Sequence, residues 1–178
     1  EKEHIQLPAE ALFDVVADVN AYREFLPFCA GSTVIRRHSD AVFEAELQIG
    51  FQALTAAYTS RVTLGRPENH GSDDFGQWPA KPGAYSVRAE CVDSSVFRMM
   101  DSIWYFSPRT DGSTDVEFRI DFEVANAMLA GAINMALQDA VQQQMAAFKG
   151  RCEAIQRTRP PPQRHQQLHG QQEGQQER

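Results

Sequence analysis

From Asn126 to Ile155 the larger apolar residues recur every three or four positions: Leu129, Ile133, Leu137, Val141, Met145, Phe148, Cys152 and Ile155. That spacing places them on one face of a helix. Gln138, Asp139, Gln142, Gln143, Lys149 and Glu153 fall between them, on the side that can meet water. Asn126 stands where a capping side chain accepts from the first free backbone N–H groups. Gly131 and Gly150 each weaken the helix by about 1 kcal/mol relative to alanine. Thirty residues of helix span about 45 Å, and an apolar face of that length needs a broad, curved sheet to cover it.

The rest of the chain carries the period of two that such a sheet requires. Phe43, Ala45, Leu47, Ile49 and Phe51 alternate with Glu44, Glu46, Gln48 and Gly50 over Val42–Phe51. Leu54–Leu64 continues with Tyr58 and Val62 on one side and Thr55, Thr59, Arg61 and Thr63 on the other. The strictest alternation is in Asp115–Val124, where Val116, Phe118, Ile120, Phe122 and Val124 are separated by charged residues. Tyr85–Val92 and Phe97–Phe106 read as two further strands, with Trp104 and Phe106 on one side; Ser32–Arg37 is another, and Glu3–Leu7 a short first one. This alternation marks antiparallel strands with one dry and one wet face. Pro8–Asn20 has helical spacing behind an opening proline, and Ala21–Phe25 is a second short helix before Pro27.

Pro67–Gly83, with three prolines, three glycines and a lone Trp78, interrupts the rhythm as a long loop inserted between strands. After Arg157 the chain turns to Pro160-Pro161-Pro162 and a Gln-rich tract; residues 158–178 have almost nothing to bury and are expected to be disordered. Residues 1–157 then form one α+β domain, a bent antiparallel sheet wrapped around the long C-terminal helix. A concavity that wide is expected to enclose a hydrophobic cavity.

Composition narrows the function classes. The net charge is −7, yet residues 149–178 carry six Lys/Arg and three Glu, so −10 rests on residues 1–148. An acidic body disfavours nucleic acid, whereas a basic end behind an amphipathic helix suits peripheral contact with an anionic membrane. Cys29, Cys91 and Cys152 are odd in number, widely spaced and set in apolar patterns, which fits free buried thiols. No run of 18 apolar residues occurs. The absence of an initiator Met and of a targeting segment suggests a chain trimmed of its address.

Phosphate loops, HExxH and CxxC motifs are absent. His165 and His169 lie four apart in the Gln-rich tract without a nearby cysteine, too little for a metal site. Glu44, Glu46, Glu117, Asp121 and Glu123 are assigned to the wet strand faces, away from any cavity, so no catalytic residue, metal or cofactor is expected. The ligand candidates are apolar and aromatic: the loop segment Phe25-Leu26-Pro27-Phe28, the strand residues Tyr58, Trp104, Phe106, Phe118 and Phe122, and Leu137, Val141 and Met145 on the helix. For the strand aromatics, ordinary core packing is the competing reading. Tyr58 and Arg61 are the candidate donors to a polar ligand head, but alternation puts them on opposite faces unless a bulge intervenes.

The run Leu12-Phe13-Asp14-Val15-Val16-Ala17-Asp18-Val19-Asn20-Ala21-Tyr22-Arg23-Glu24-Phe25-Leu26-Pro27-Phe28-Cys29 resembles the mitochondrial coenzyme Q-binding proteins of the polyketide cyclase/START-like superfamily and their bacterial relatives. Tyr58–Thr63, Ile103-Trp104-Tyr105-Phe106 and Gln144–Phe148 match later segments of that pattern in order, so the resemblance covers roughly residues 3–156. It departs at Phe28, where the family has tryptophan, and at Ala136-Leu137, where an aromatic pair is usual. The resemblance implies a helix-grip fold with a hydrophobic tunnel. It implies non-enzymatic binding of ubiquinone or its precursors, in support of quinone biosynthesis and respiration at the matrix side of the mitochondrial inner membrane. Relatives described as toxins that block ribosomal subunit association, and cyclase or dehydratase enzymes, supply the alternatives.

Overall fold

The computed structural model describes residues 1–51, 54–69, 79 and 81–158, and the side chains of all of these except 51, 54, 55, 69 and 127–139. A short first strand, β1 (Lys2–Ile5), leads through Pro8 into α1 (Ala9–Ala17) and α2 (Tyr22–Phe25). Six longer strands follow: β2 (Cys29–Arg37), β3 (Val42–Phe51), β4 (Leu54–Gly65), β5 (Tyr85–Ser94), β6 (Phe97–Pro108) and β7 (Thr114–Val124). The last described element is α3 (Ala127–Thr158), 32 residues long. The seven strands form one antiparallel sheet in the order β1-β7-β6-β5-β4-β3-β2, so the first strand lies beside the last. This is the helix-grip architecture that the alternation and the long amphipathic helix require.

Several boundaries differ from expectation by a few residues, and three of them have a clear physical reason. α1 stops at Ala17 rather than Asn20 because Asp18 leaves the helical region (φ −81°, ψ 72°), and Val19–Ala21 tightens into a 3₁₀ turn. β2 begins three residues early: a register shift between Cys29 and Gly31 lets Cys29 pair with Ile49. α3 runs on through Gly150 to Thr158, two glycines notwithstanding. Tertiary packing of an apolar face outweighs a propensity loss of about 1 kcal/mol per glycine.

The bracket between β1 and β2 is fixed by polar ties. The Asn20 side chain accepts from the Val34 N–H (2.8 Å), and the Asn20 carbonyl accepts from Ser32 Oγ (3.4 Å). The buried Tyr22 hydroxyl donates to the Val16 carbonyl. Val34 packs inward against the core.

The convex face of the sheet is not simply wet. Ile103 and Tyr105 are fully buried there, and Arg88 makes a two-pronged pair with Asp101 (3.0 and 2.7 Å) that is itself buried. The Tyr105 hydroxyl donates to the Pro79 carbonyl (2.6 Å), and Lys81 Nζ lies 4.4 Å from the Tyr105 ring centre while pairing with Glu117. Glu117, expected on a solvated face, is therefore buried between Lys81 and Arg119. The end of the 67–83 connection is a clasp over this face, turned by Gly83 at φ +76°. Trp78 and the rest of 70–78 lie outside the described residues, as do 159–178.

Candidate functional site

Strand register sorts the concave face into rows across the sheet. Leu64, Val87, Trp104 and Phe118 form one row, each paired with the next. Next come Phe43, Val62, Ala89, Ser102 and Ile120, and then Ala45, Ser60 and Cys91, with Met100 paired to Phe122 on the far strands. Beyond them Leu47 pairs with Tyr58. Small side chains thus gather in the middle of the face, at Ala45, Ser60, Ala89 and Ser102, with Phe43 on one side of them and Tyr58, Phe97 and Phe122 toward the far end.

The large-residue row is where α3 is gripped. Phe148 sits 5.2 Å from Tyr22, 5.3 Å from Phe25 and 5.3 Å from Trp104, all ring to ring, nearly edge-on. Trp104 in turn lies 4.5 Å from Phe118 and stacks parallel to Phe106 at 6.0 Å. Met145 and Cys152 are buried in the same cluster with Phe13, Leu12 and Ile5. Each such side chain contributes roughly 1.5–3 kcal/mol by burial alone, and the space left among them amounts to about 10 Å³. Trp104, Phe106, Phe118 and Met145, named above as ligand candidates, are core residues in the free protein. Close packing of a row of large side chains fills the concavity at that end.

The smaller-residue rows are different. Tyr58 is half-buried, with its ring 5.7 Å from Phe97, and Phe97 lies 6.4 Å from Phe122, both edge to face. Burial pushes the Tyr58 phenol well above its ordinary value, so it is a neutral donor at any physiological pH. Ser60, on the same face two residues along, is 1% exposed and its hydroxyl has no hydrogen-bond partner. Phe97, Ser60 and the small residues Ala45, Ala89 and Ser102 escaped the sequence reading. The alternation that put Tyr58 and Val62 together also put Ser60 between them, so that signal was present. Arg61 points the other way and pairs with Glu44 (3.5 Å), so it is not a donor to this space. Val141 is half-buried and packs against the core, whereas the side chain of Leu137 lies outside the described residues.

The loop candidates divide. Leu26 is half-buried against the core and Pro27 is exposed. Phe28 is half-buried, and its carbonyl accepts from the Gly50 N–H (2.9 Å), which sets this loop at the end of the sheet where β3 turns into β4. The β5–β6 turn belongs to the same end, tied to the start of α3 by the Ala125 N–H to Val96 carbonyl bond (2.8 Å). Phe25 instead faces a groove of about 470 Å³ outside the sheet, between α1 and the end of α3, with the Arg151 guanidinium 5.6 Å from its ring centre. Lys149 and Arg151, two of the cations at the basic helix end, are paired with Glu3 (2.8 Å) and Glu24 (2.7 Å).

All three cysteines are free thiols. Burial pushes the thiols of Cys29 and Cys91 up, and that of Cys152 up to about 12. Among the described residues no group of three or more His, Cys, Asp or Glu side chains could hold a metal ion, and no helix is long and apolar enough to cross a membrane. The tail histidines His165 and His169 lie outside the described residues.

Known proteins resemble this chain along most of its length. It is 27% identical over 143 residues to a mitochondrial coenzyme Q-binding protein homolog B of Xenopus laevis, covering 79% of this chain and 51% of that one. The mitochondrial coenzyme Q-binding protein of Drosophila melanogaster is 29% identical, over 83% and 54%. The chain thus spans about half the length of these relatives. The ribosome association toxin RatA of Rickettsia prowazekii is 28% identical over 81% of this chain and 88% of that one. Among solved structures, the Zhui aromatase/cyclase of a Streptomyces superposes with a TM-score of 0.69 at 14% identity, over 89% and 94% of the two chains. An 18 kDa protein from Caulobacter crescentus superposes with a TM-score of 0.63 at 25% identity, over 88% and 95%. Residues 5–149 match the family described as polyketide cyclase / dehydrase and lipid transport, with the START-like fold that the sheet and helix display, and the chain belongs to that family.

Proposed function

We propose that the protein binds coenzyme Q or a lipid precursor of it, without converting it, between the concave face of the sheet and α3. The observation that carries this is the patch of small side chains in the middle of the concave face. One end is filled by Trp104, Phe118 and Phe148, while the middle is floored by Ala45, Ser60, Ala89 and Ser102 and walled by Tyr58, Phe97 and Phe122. Such a trough suits an aromatic head carrying an isoprenoid tail: one buried isoprene unit contributes on the order of 3 kcal/mol before ordering costs. Binding without conversion is supported by the chemistry of the rows that floor the trough. Their polar groups are hydroxyls and a thiol raised by burial, none of which titrates near neutral pH. The likeness to proteins named for coenzyme Q binding supports the same ligand, and their mitochondrial naming supports a mitochondrial site of action; the matrix face of the inner membrane is the place this reading assigns.

Membrane contact belongs to the same reading. The exposed Pro27 beside Leu26 and Phe28 offers an apolar contact at the sheet end, and the exposed Arg157 with the three arginines of 159–178 offers an anionic lipid surface a partner. Liposome flotation at low and high salt separates the two contributions. The deciding experiment is mass spectrometry of lipid extracted from purified protein. Quinone or a prenylated precursor in stoichiometric amount is the expected result. Protein that carries none and takes none up from vesicles overturns the proposal. A ribosome-binding reading has one observation in its favour, the near-complete coverage of the RatA relative. It gains if that lipid-free protein shifts ribosomal subunit profiles, against the −10 charge of residues 1–148.

A further inference from the structure

We propose that Ser60 and Tyr58 form a polar subsite on the floor of the trough, which takes the carbonyl-bearing ring of the ligand head-first and leaves its isoprenoid tail to run out past Phe97 and Phe122. The inference rests on the coenzyme Q reading above and adds to it an orientation and the two groups that select the head. Ser60 Oγ is buried, unpartnered and on the concave face, where its cross-strand neighbours are Ala45 and Cys91. An orphaned hydroxyl in an apolar setting is unfavourable in the free protein, because it has given up water and gained nothing. A carbonyl acceptor brought to it restores the missing bond, so the gain on binding exceeds what an exposed serine could offer.

Tyr58 extends the same argument. It lies two residues along the same strand, about 7 Å away along the backbone, and its longer side chain presents a hydroxyl higher above the sheet. Two donors at different heights on one strand suit a flat ring with acceptor oxygens at opposite ends. The aromatic contacts run from Tyr58 to Phe97 to Phe122, toward the turn of β5 and β6. That fixes the direction in which an apolar tail finds continuous cover. The opposite direction is closed by the packed Trp104 and Phe118.

The convex face holds a matched control. Ser86 is equally buried and equally unpartnered, but it pairs with Tyr105 and Gly65 and so faces away from the trough. The test uses the full 178-residue chain, a ubiquinone with two isoprene units, and a polyprenol that has a tail and no ring. Ser60→Ala and Tyr58→Phe should each weaken the quinone roughly 5- to 10-fold and leave polyprenol binding unchanged. Ser60→Ala and Ser86→Ala should both raise the melting temperature by roughly 2–4 °C, since each deletes an unsatisfied hydroxyl; only Ser60→Ala should lose quinone. Quinone bound as tightly by Ser60→Ala and Tyr58→Phe as by the wild type overturns the subsite while leaving the coenzyme Q reading intact. A wild type that binds no quinone removes the reading itself and the subsite with it. Equal loss of quinone in Ser86→Ala also overturns the assignment, because a face-independent effect is not a contact.

Discussion

The two ends of the concave face are built from the same strands and covered by the same helix, yet they are filled differently. At the Trp104–Phe118 end, α3 contributes Met145, Phe148 and Cys152, and rings meet rings at 4.5–5.3 Å. Toward Tyr58 and Phe122, the sheet offers alanines and serines, and the aromatic side chains are only half-buried. Protein interiors are packed like organic crystals, so the first end holds the helix on the sheet, and the second is where the proposed function puts the ligand.

The largest break in that comparison comes from the packed end. Phe148→Ala should cost about 3–5 kcal/mol, whereas Phe122→Ala, at a half-buried site, should cost about 1 kcal/mol or less. Urea denaturation of both variants measures it; equal losses would mean that both ends are tightly packed. Ala89→Leu sharpens the contrast from the other side. In an under-filled trough it should cost less than about 1 kcal/mol and expel co-purified quinone, whereas in a packed core it should cost about 1–3 kcal/mol. Thermal melts and lipid extraction on the same sample tell these apart.

Smaller effects are expected on the convex face. Removing the clasp cation with Lys81→Ala should cost about 1 kcal/mol at neutral pH. Burial raises the Glu117 carboxyl, but hydrogen bonds from Lys81 and Arg119 outweigh it and hold the group below its ordinary 4.5. The resulting stability is complete above pH 4.5 and is lost as the pH falls through the depressed native value. The variant should therefore show a shallower acid loss of stability in urea titrations below pH 4.5; an unchanged slope would assign Glu117's shift to Arg119 alone. Smallest of all is a reactivity difference with no effect on stability. Brief treatment with a maleimide should label the half-buried Cys29 and Cys91 before Cys152, whose thiol is 1% exposed and raised to about 12. Peptide mass spectrometry reads the order, and early modification of Cys152 would show that the packed end opens.

Much of this was legible in the chain because periodicity reports which face a residue takes. Phe118 and Phe122 point inward, Arg61 points out, and the helix from 126 onward was visible from eight apolar positions. What periodicity does not report is depth. Trp104 and Tyr58 look alike as inward aromatics, yet Trp104 is buried and Tyr58 only half-buried, because depth is set by distant partners such as Phe148, which packs on Trp104. The charged side of the strands misled for a related reason. Glu117 and Asp101 alternate like solvated residues, but Lys81 and Arg88 reach them. A partner 36 positions away in one case and 13 in the other leaves no local trace. Alternation places Ser60 on the inward face with Tyr58 and Val62, but nothing in the sequence marks its hydroxyl as unpartnered.

The neighbouring placement of β1 and β7 has a kinetic side. Glu3 meets Val116 and Lys2 meets Glu117, so the first strand cannot be paired until more than a hundred residues have been made and ordered. The loop entropy of that closure grows only slowly with length, but contacts of such high sequence separation are the ones that slow folding. During synthesis the hairpins from β2 to β7 can form in turn, while β1 and α1 wait for their partners. The last element to arrive, α3, carries Phe148, the ring that packs on Trp104, so nascent chains ending before residue 148 would present Trp104 and Phe118 to chaperones.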